Sequence, residues 1–147
     1  MREILFRGKT TAGEWEYGVP VFAGLNNELA FMKQMYSYDH QVIPETVGQF
    51  TGLTDKNGKK IFEGDIIRYS IEEDQAVFVG AVKFGEFNPD GGALLNTNVG
   101  FYVELVDQEG KRSYMRKDIG FWVKYRQIEV IGNIHDNPDL LEVIDNA

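Results

Sequence analysis

The segment PETVGQFTGLTDKNGKKIFEGDII, residues 44–67, decides how the chain is read. Asn57-Gly58 stands between two strand-like runs. A type I′ hairpin turn demands positive φ at both central residues, which Asn and Gly accept most readily. Lys60–Phe62 follows as the returning strand, and Glu63-Gly64-Asp65 as a tight turn or bulge. Beyond it Ile66–Ile71 alternates, with Ile67, Tyr69 and Ile71 on one face. Gly58 serves the turn, Gly64 permits the bend, Asp65 bonds local backbone, and Thr51, Gly52 and Thr54 shape the approach. Structural duty is the first explanation of the block.

Strand signals continue toward the C-terminus. Ala76–Phe84 alternates through Val77, Val79 and Ala81, and GEFNPDGGALLNTNV (85–99) has the Gly, Pro and Asn density of a long loop. Phe101, Val103 and Leu105 line a strand that ends in the turn Asp107–Gly110. Phe121, Val123 and Tyr125 line another, and Ile128–Ile134 is the last. In Asn137-Pro138-Asp139, Asn caps a short C-terminal helix, Pro takes its first position and Asp complements its dipole. Leu140, Leu141 and Ile144 dock that helix on the strands.

The first 45 residues differ in character. REILFR is a short strand, Thr11–Glu14 a turn, and EWEYGVPVF a strand with Trp15, Tyr17 and Val19 on one face. Pro20 points to an edge. Leu25–Tyr36 fits either a helical stripe (Leu25, Leu29, Met32, Tyr36) or a strand. The strand is preferred because it completes a hairpin with 14–22. The expected architecture is all-β: an N-terminal β-hairpin subdomain over 1–45 and a small SH3-like barrel over 46–147.

Composition bounds the chemistry. At 147 residues the chain buries enough surface to need no metal or disulfide staple. With no cysteine there is no thiolate nucleophile, iron–sulfur ligand or disulfide, which fits a reducing cytoplasm. No run approaches the roughly 18 apolar residues of a membrane span, and the start lacks a signal-peptide core. A net charge of −8 argues against binding nucleic acid through phosphates.

No catalytic constellation emerges. His40 falls in a polar loop-like stretch, and His135-Asp136 lacks a third metal ligand at a recognisable spacing. Ser37, Ser70 and Ser113 lie outside any G-x-S-x-G elbow. Gly80, Gly85, Gly91 and Gly92 do not form a phosphate loop. Neither a cofactor nor an enzymatic reaction is expected.

Three blocks carry a family resemblance. Pro44–Ile67, with TGL, DKNG and EGD in order, resembles the YopX family of phage and prophage proteins. EVIGNIHDNPDLLE (129–142) is similar to that family's closing segment, and REILFRGK with EWEYG is a weaker third match. The resemblance implies an all-β fold, a phage or prophage setting and no catalytic residues. Its motif positions here are Gly52, Asn57, Gly58, Gly64, Asp65, Gly132, Asn133, Asn137 and Pro138. Relatives are expected to carry an aromatic such as Tyr at the position of His135, which argues against catalysis by this histidine. The EGDII run also resembles the strand entry of SH3-like barrels.

Two surfaces follow as expectations. The aromatic N-terminal hairpin and exposed strand edges favour binding to phage or host protein chains, copies of this chain included. Alternatively, Lys111, Arg112, Trp122, Lys124 and Arg126 on a hairpin 111–126 form a basic, aromatic nucleic-acid face. Against that, strand alternation places Phe121, Val123 and Tyr125 in the core and the charges outside.

Overall fold

The structure, a computed structural model, describes residues 3–34, 38–71, 76–89, 97–106 and 117–142. The chain divides into two compact units, Met1–Gly52 and Leu53–Ala147. Among the described residues the strands form antiparallel sheets with one short α-helix, and the expected all-β class holds. Among the described residues the strands fall into one six-stranded and one four-stranded sheet, and no closed barrel is assigned.

The first unit is built from β1 (Phe6–Lys9), β2 (Trp15–Ala23), β3 (Leu29–Lys33), β4 (His40–Val42) and the start of β5 (Gly48–Thr54), in the order β4-β3-β2-β1-β5. β3 pairs with β2, Phe31 opposite Val21, so within 25–36 a strand forms over Leu29–Lys33, while residues 35 and 36 lie outside the described set. The unit is larger than a hairpin because β1, β4 and β5 extend the layer. Two expectations change. His40 opens a strand rather than lying in a loop. β2 is interior, but its register with β1 ends at Gly18, so Pro20 is flanked by β3 alone. Ala30, Met32 and Val42 are buried, with Phe6 and Val47 against them. The Thr46 hydroxyl accepts from Lys9 N–H (2.8 Å) and donates to the Ile43 carbonyl (2.6 Å), fixing a 3-10 turn at Pro44–Thr46.

β5 runs on into the second unit, where β6 (Lys60–Phe62) is its hydrogen-bonded neighbour. The second sheet has the order β10-β7-β8-β9: Glu129–Asn133, Asp65–Ile71, Ala76–Phe87 and Asn98–Leu105. β8 and β9 reach further into the expected 85–99 loop, pairing as far as Phe87 and Asn98. Phe87 is buried there and stacks on Tyr102 at 5.0 Å, which explains the extension. Residues 90–96 lie outside the described set.

The larger correction concerns Phe121–Tyr125. This stretch is α1 (Ile119–Arg126), not a strand. The Asp118 carboxylate caps it by accepting from Phe121 N–H (3.3 Å), and Gln127 ends it in the left-handed region (φ 49°). Aromatic and β-branched residues suggested strand propensity, yet burial decides. Trp122 is fully buried beside Ile61, Ile67, Tyr69, Val82, Val103 and Ile128, and its indole N–H donates to the Lys117 carbonyl (3.0 Å). A helix lets Trp122 and Ile119 enter that core with Phe121 and Val123 packed against it, while Lys124 and Tyr125 turn outward; Tyr125 is 59% exposed. At the C-terminus the expected helix is one 3-10 turn, Pro138–Leu141. Asn137 does not cap it by a side-chain bond, and its Oδ1 accepts from Asn133 N–H instead (3.3 Å). Gly132 is required beneath: a Cβ there would lie 2.5 Å from Asn137 Oδ1.

Asp55 binds distant segments of this unit together. It is buried at the base of the Asn57-Gly58 turn. Its Oδ1 accepts from the N–H groups of Asn57 and Lys59 (both 2.9 Å), and its Oδ2 from Val130 N–H on β10 (2.9 Å). Burial opposes ionisation, but those three donors and the Lys59 charge outweigh it and hold the carboxyl below the ordinary aspartate value. A depressed folded-state value means that the stabilisation is fully present above the unfolded value, about 3.9. It is lost as pH falls through the folded value.

Asp55→Asn turns one acceptor into a donor facing another N–H, so the variant should lose about 2–3 kcal/mol at neutral pH. Urea unfolding at pH 7 and at pH 3 checks this, and the gap to wild type should narrow at the lower pH. Trp122→Ala should cost about 3–5 kcal/mol, whereas Tyr125→Ala should stay within about 0.5 kcal/mol of wild type. Equal losses in thermal melts would contradict the helical assignment.

Candidate functional site

The second unit holds a polar cleft of about 270 Å³, lined by Lys56, Arg68, Tyr69, Ser70, Val77, Arg126, Gln127 and Glu129. Five separate elements build it. Lys56 sits on the turn after β5, where its N–H donates to the Ile128 carbonyl (3.1 Å) beside the Asp55 pin. Arg68 on β7 lies in register with Glu129 on β10, and Ser70 with Val77 on β8. Arg126 closes α1, and the left-handed Gln127 turns the chain from helix toward β10.

Charge in the cleft is uneven. Glu129 Oε2 lies 3.1 Å from Arg68 Nε and 3.9 Å from Lys56 Nζ. Arg126 stands apart from that group, its guanidinium 5.4 Å from the Phe121 ring and its Nη1 donating weakly to the Tyr125 carbonyl (3.3 Å). Arg126 Nε is buried and has no hydrogen-bond partner among the described residues. Tyr69 stacks on Phe78 (4.8 Å) and leans on Trp122 (5.4 Å). Burial pushes its hydroxyl above the ordinary tyrosine value, against the opposing charge and hydrogen bond of Arg126. The phenol therefore keeps its proton at neutral pH.

The residues expected at a nucleic-acid face are scattered. Lys111 and Arg112 lie outside the described residues. Trp122 is core, so no base can stack on it. Lys124 is exposed, 5.3 Å from the Tyr125 ring, and Arg126 alone enters the cleft. Sequence reasoning missed Lys56, Arg68 and Glu129, because isolated charges on strands and turns carry no signal until register brings them together.

The family-motif positions do local work. Asn57 donates its N–H to Asp55, Gly58 carries φ 82° in the turn, and Gly52 (φ 91°) ends the first unit. Gly64 (φ 91°) exchanges backbone bonds with Val82 and Ile134. Asp65 is buried and accepts from Phe62 N–H (2.7 Å). Asn133 Oδ1 accepts from the N–H groups of His135 and Asp136, and its Nδ2 donates to Asp136. Pro138 opens the 3-10 turn. His40 Nδ1 lies 3.8 Å from Glu16. Among the described residues no group of three or more His, Cys, Asp or Glu side chains is placed to hold a metal ion. No helix among them is long and apolar enough to cross a membrane.

Comparison with known proteins places this architecture. The chain is similar over 96% of its length to the crystal structure of protein EF1440 from Enterococcus faecalis, of which 99% is covered, with 24% identity and a TM-score of 0.54. At that identity the likeness speaks to the fold alone. A search of curated proteins gave no match. The YopX protein family matches residues 22–142, most of the chain and both of the strongest sequence blocks. The chain belongs to the YopX family.

Proposed function

We propose that this protein is a non-enzymatic accessory module, phage- or prophage-encoded and acting in the host cytoplasm, that binds protein chains and self-associates. The outer face of the first unit's sheet carries this reading. Tyr17, Val19 and Val21 alternate along β2 and are 47%, 54% and 43% exposed. On β3 the half-buried Phe31 stands opposite Val21 and the exposed Leu29 opposite Ala23, with Lys33 opposite Val19, and Arg7 covers the Trp15 ring at 4.6 Å at the β1 side. A contiguous apolar strip on a sheet face favours burial against another chain. The acidic balance favours protein over nucleic-acid partners.

A nucleic-acid role is the second reading, and it rests on the cations Lys124 and Arg126. With Trp122 in the core it must act through phosphates, so charge reversal at those two residues and added salt should both weaken it steeply. Binding that ignores salt speaks against it.

Light scattering across a concentration series should show a mass above the monomer. Val19→Lys with Val21→Lys should return the protein to monomer with its β-sheet circular dichroism intact. A strict monomer at the highest wild-type concentration removes self-association.

A further inference from the structure

The Lys56–Arg68–Arg126 cleft is out of keeping with an acidic chain. The protein carries −8 overall, yet three cations and one carboxylate line this cleft, a local surplus of two positive charges. Glu129 engages Arg68 and Lys56, and Arg126 is left outside that pairing. Its buried Nε lacks an acceptor among the described residues. A buried donor on a charged group is unfavourable unless an acceptor reaches it. Ser70 and Gln127 add neutral donors at the rim.

Size and charge narrow the ligand. About 270 Å³ is below the roughly 300–1,000 Å³ of clefts that enclose drug-sized molecules, so one compact group fits. Arginine forks suit planar or tetrahedral oxyanions with several acceptor oxygens. A phosphate monoester carries about −1.5 to −2 at neutral pH, matching the surplus. A polynucleotide brings single charges on a long anionic strand, which the −8 chain repels.

We propose that this cleft binds a compact phosphate, either inorganic phosphate or the phosphoryl end of a small monoester. Arg126 and Arg68 supply donors to its oxygens, and Lys56 acts as a point charge. Glu129 competes with the ligand for Arg68. The site is independent of self-association through the first unit.

Isothermal titration of the full chain with inorganic phosphate and with glycerol 3-phosphate, at ionic strength matched with chloride, tests this. Saturable binding of either is expected, and the arm that binds identifies the free ion or the ester as the source. Arg68→Gln and Arg126→Gln should each weaken it about tenfold or more, while Glu129→Gln should tighten it by freeing Arg68. If Arg126→Gln fails to fold, the half-exposed Arg68 and Glu129 variants still decide. Heats no larger than those of chloride overturn the proposal. So does affinity unchanged in both variants, or a single-stranded oligonucleotide binding where neither phosphate does.

Discussion

The second unit depends on one buried carboxylate. Asp55 accepts from Asn57 and Lys59 on its own turn and from Val130 on β10, so a local hairpin is registered against a strand 75 residues away. Without it, two N–H groups in the turn and one on β10 lose their partner, and the β10 group, Val130 N–H, is buried away from water. The Lys56–Ile128 backbone bond runs beside it. Turn chemistry and tertiary closure thus meet in one side chain.

Around this pin the core is filled by large side chains from short elements. Trp122 enters from α1, Ile61 from β6, Ile67 and Tyr69 from β7, Val82 from β8 and Val103 from β9. Each element is too short to bury a face alone, and they become stable through one another. Side chains bind the backbone at the margins, Asp118 as the N-cap of α1 and Asn133 on the turn after β10.

The same register that closes the core arranges the surface charge. Arg68 opposite Glu129, Lys56 beside Ile128 and Arg126 at the end of α1 become neighbours only because β7, β10 and the helix meet there. In the first unit alternation has the reverse outcome: Ala30 and Met32 face a small core, leaving Tyr17, Val19 and Val21 outward. An acidic chain therefore shows one cation-rich cleft and one apolar strip, each unlike the average surface.

Much of this was legible in the residues. Asn57-Gly58 marked a turn, although only Gly58 takes the positive φ that a type I′ turn asks of both residues; period-2 alternation marked β2, β7, β8 and β9, and the TGL, DKNG and EGD elements pointed to the YopX family. Those features depend on local φ, ψ preferences and nearest-neighbour patterning, which a sequence carries in full. Phe121–Tyr125 was misread as a strand because its aromatics satisfy strand propensity, while the burial of Trp122 that favours the helix involves β7 and β9. The depth of the β8–β9 hairpin and the gathering of Lys56, Arg68 and Arg126 likewise required the tertiary structure. They arise from contacts between residues far apart in the chain, and no local spacing encodes them.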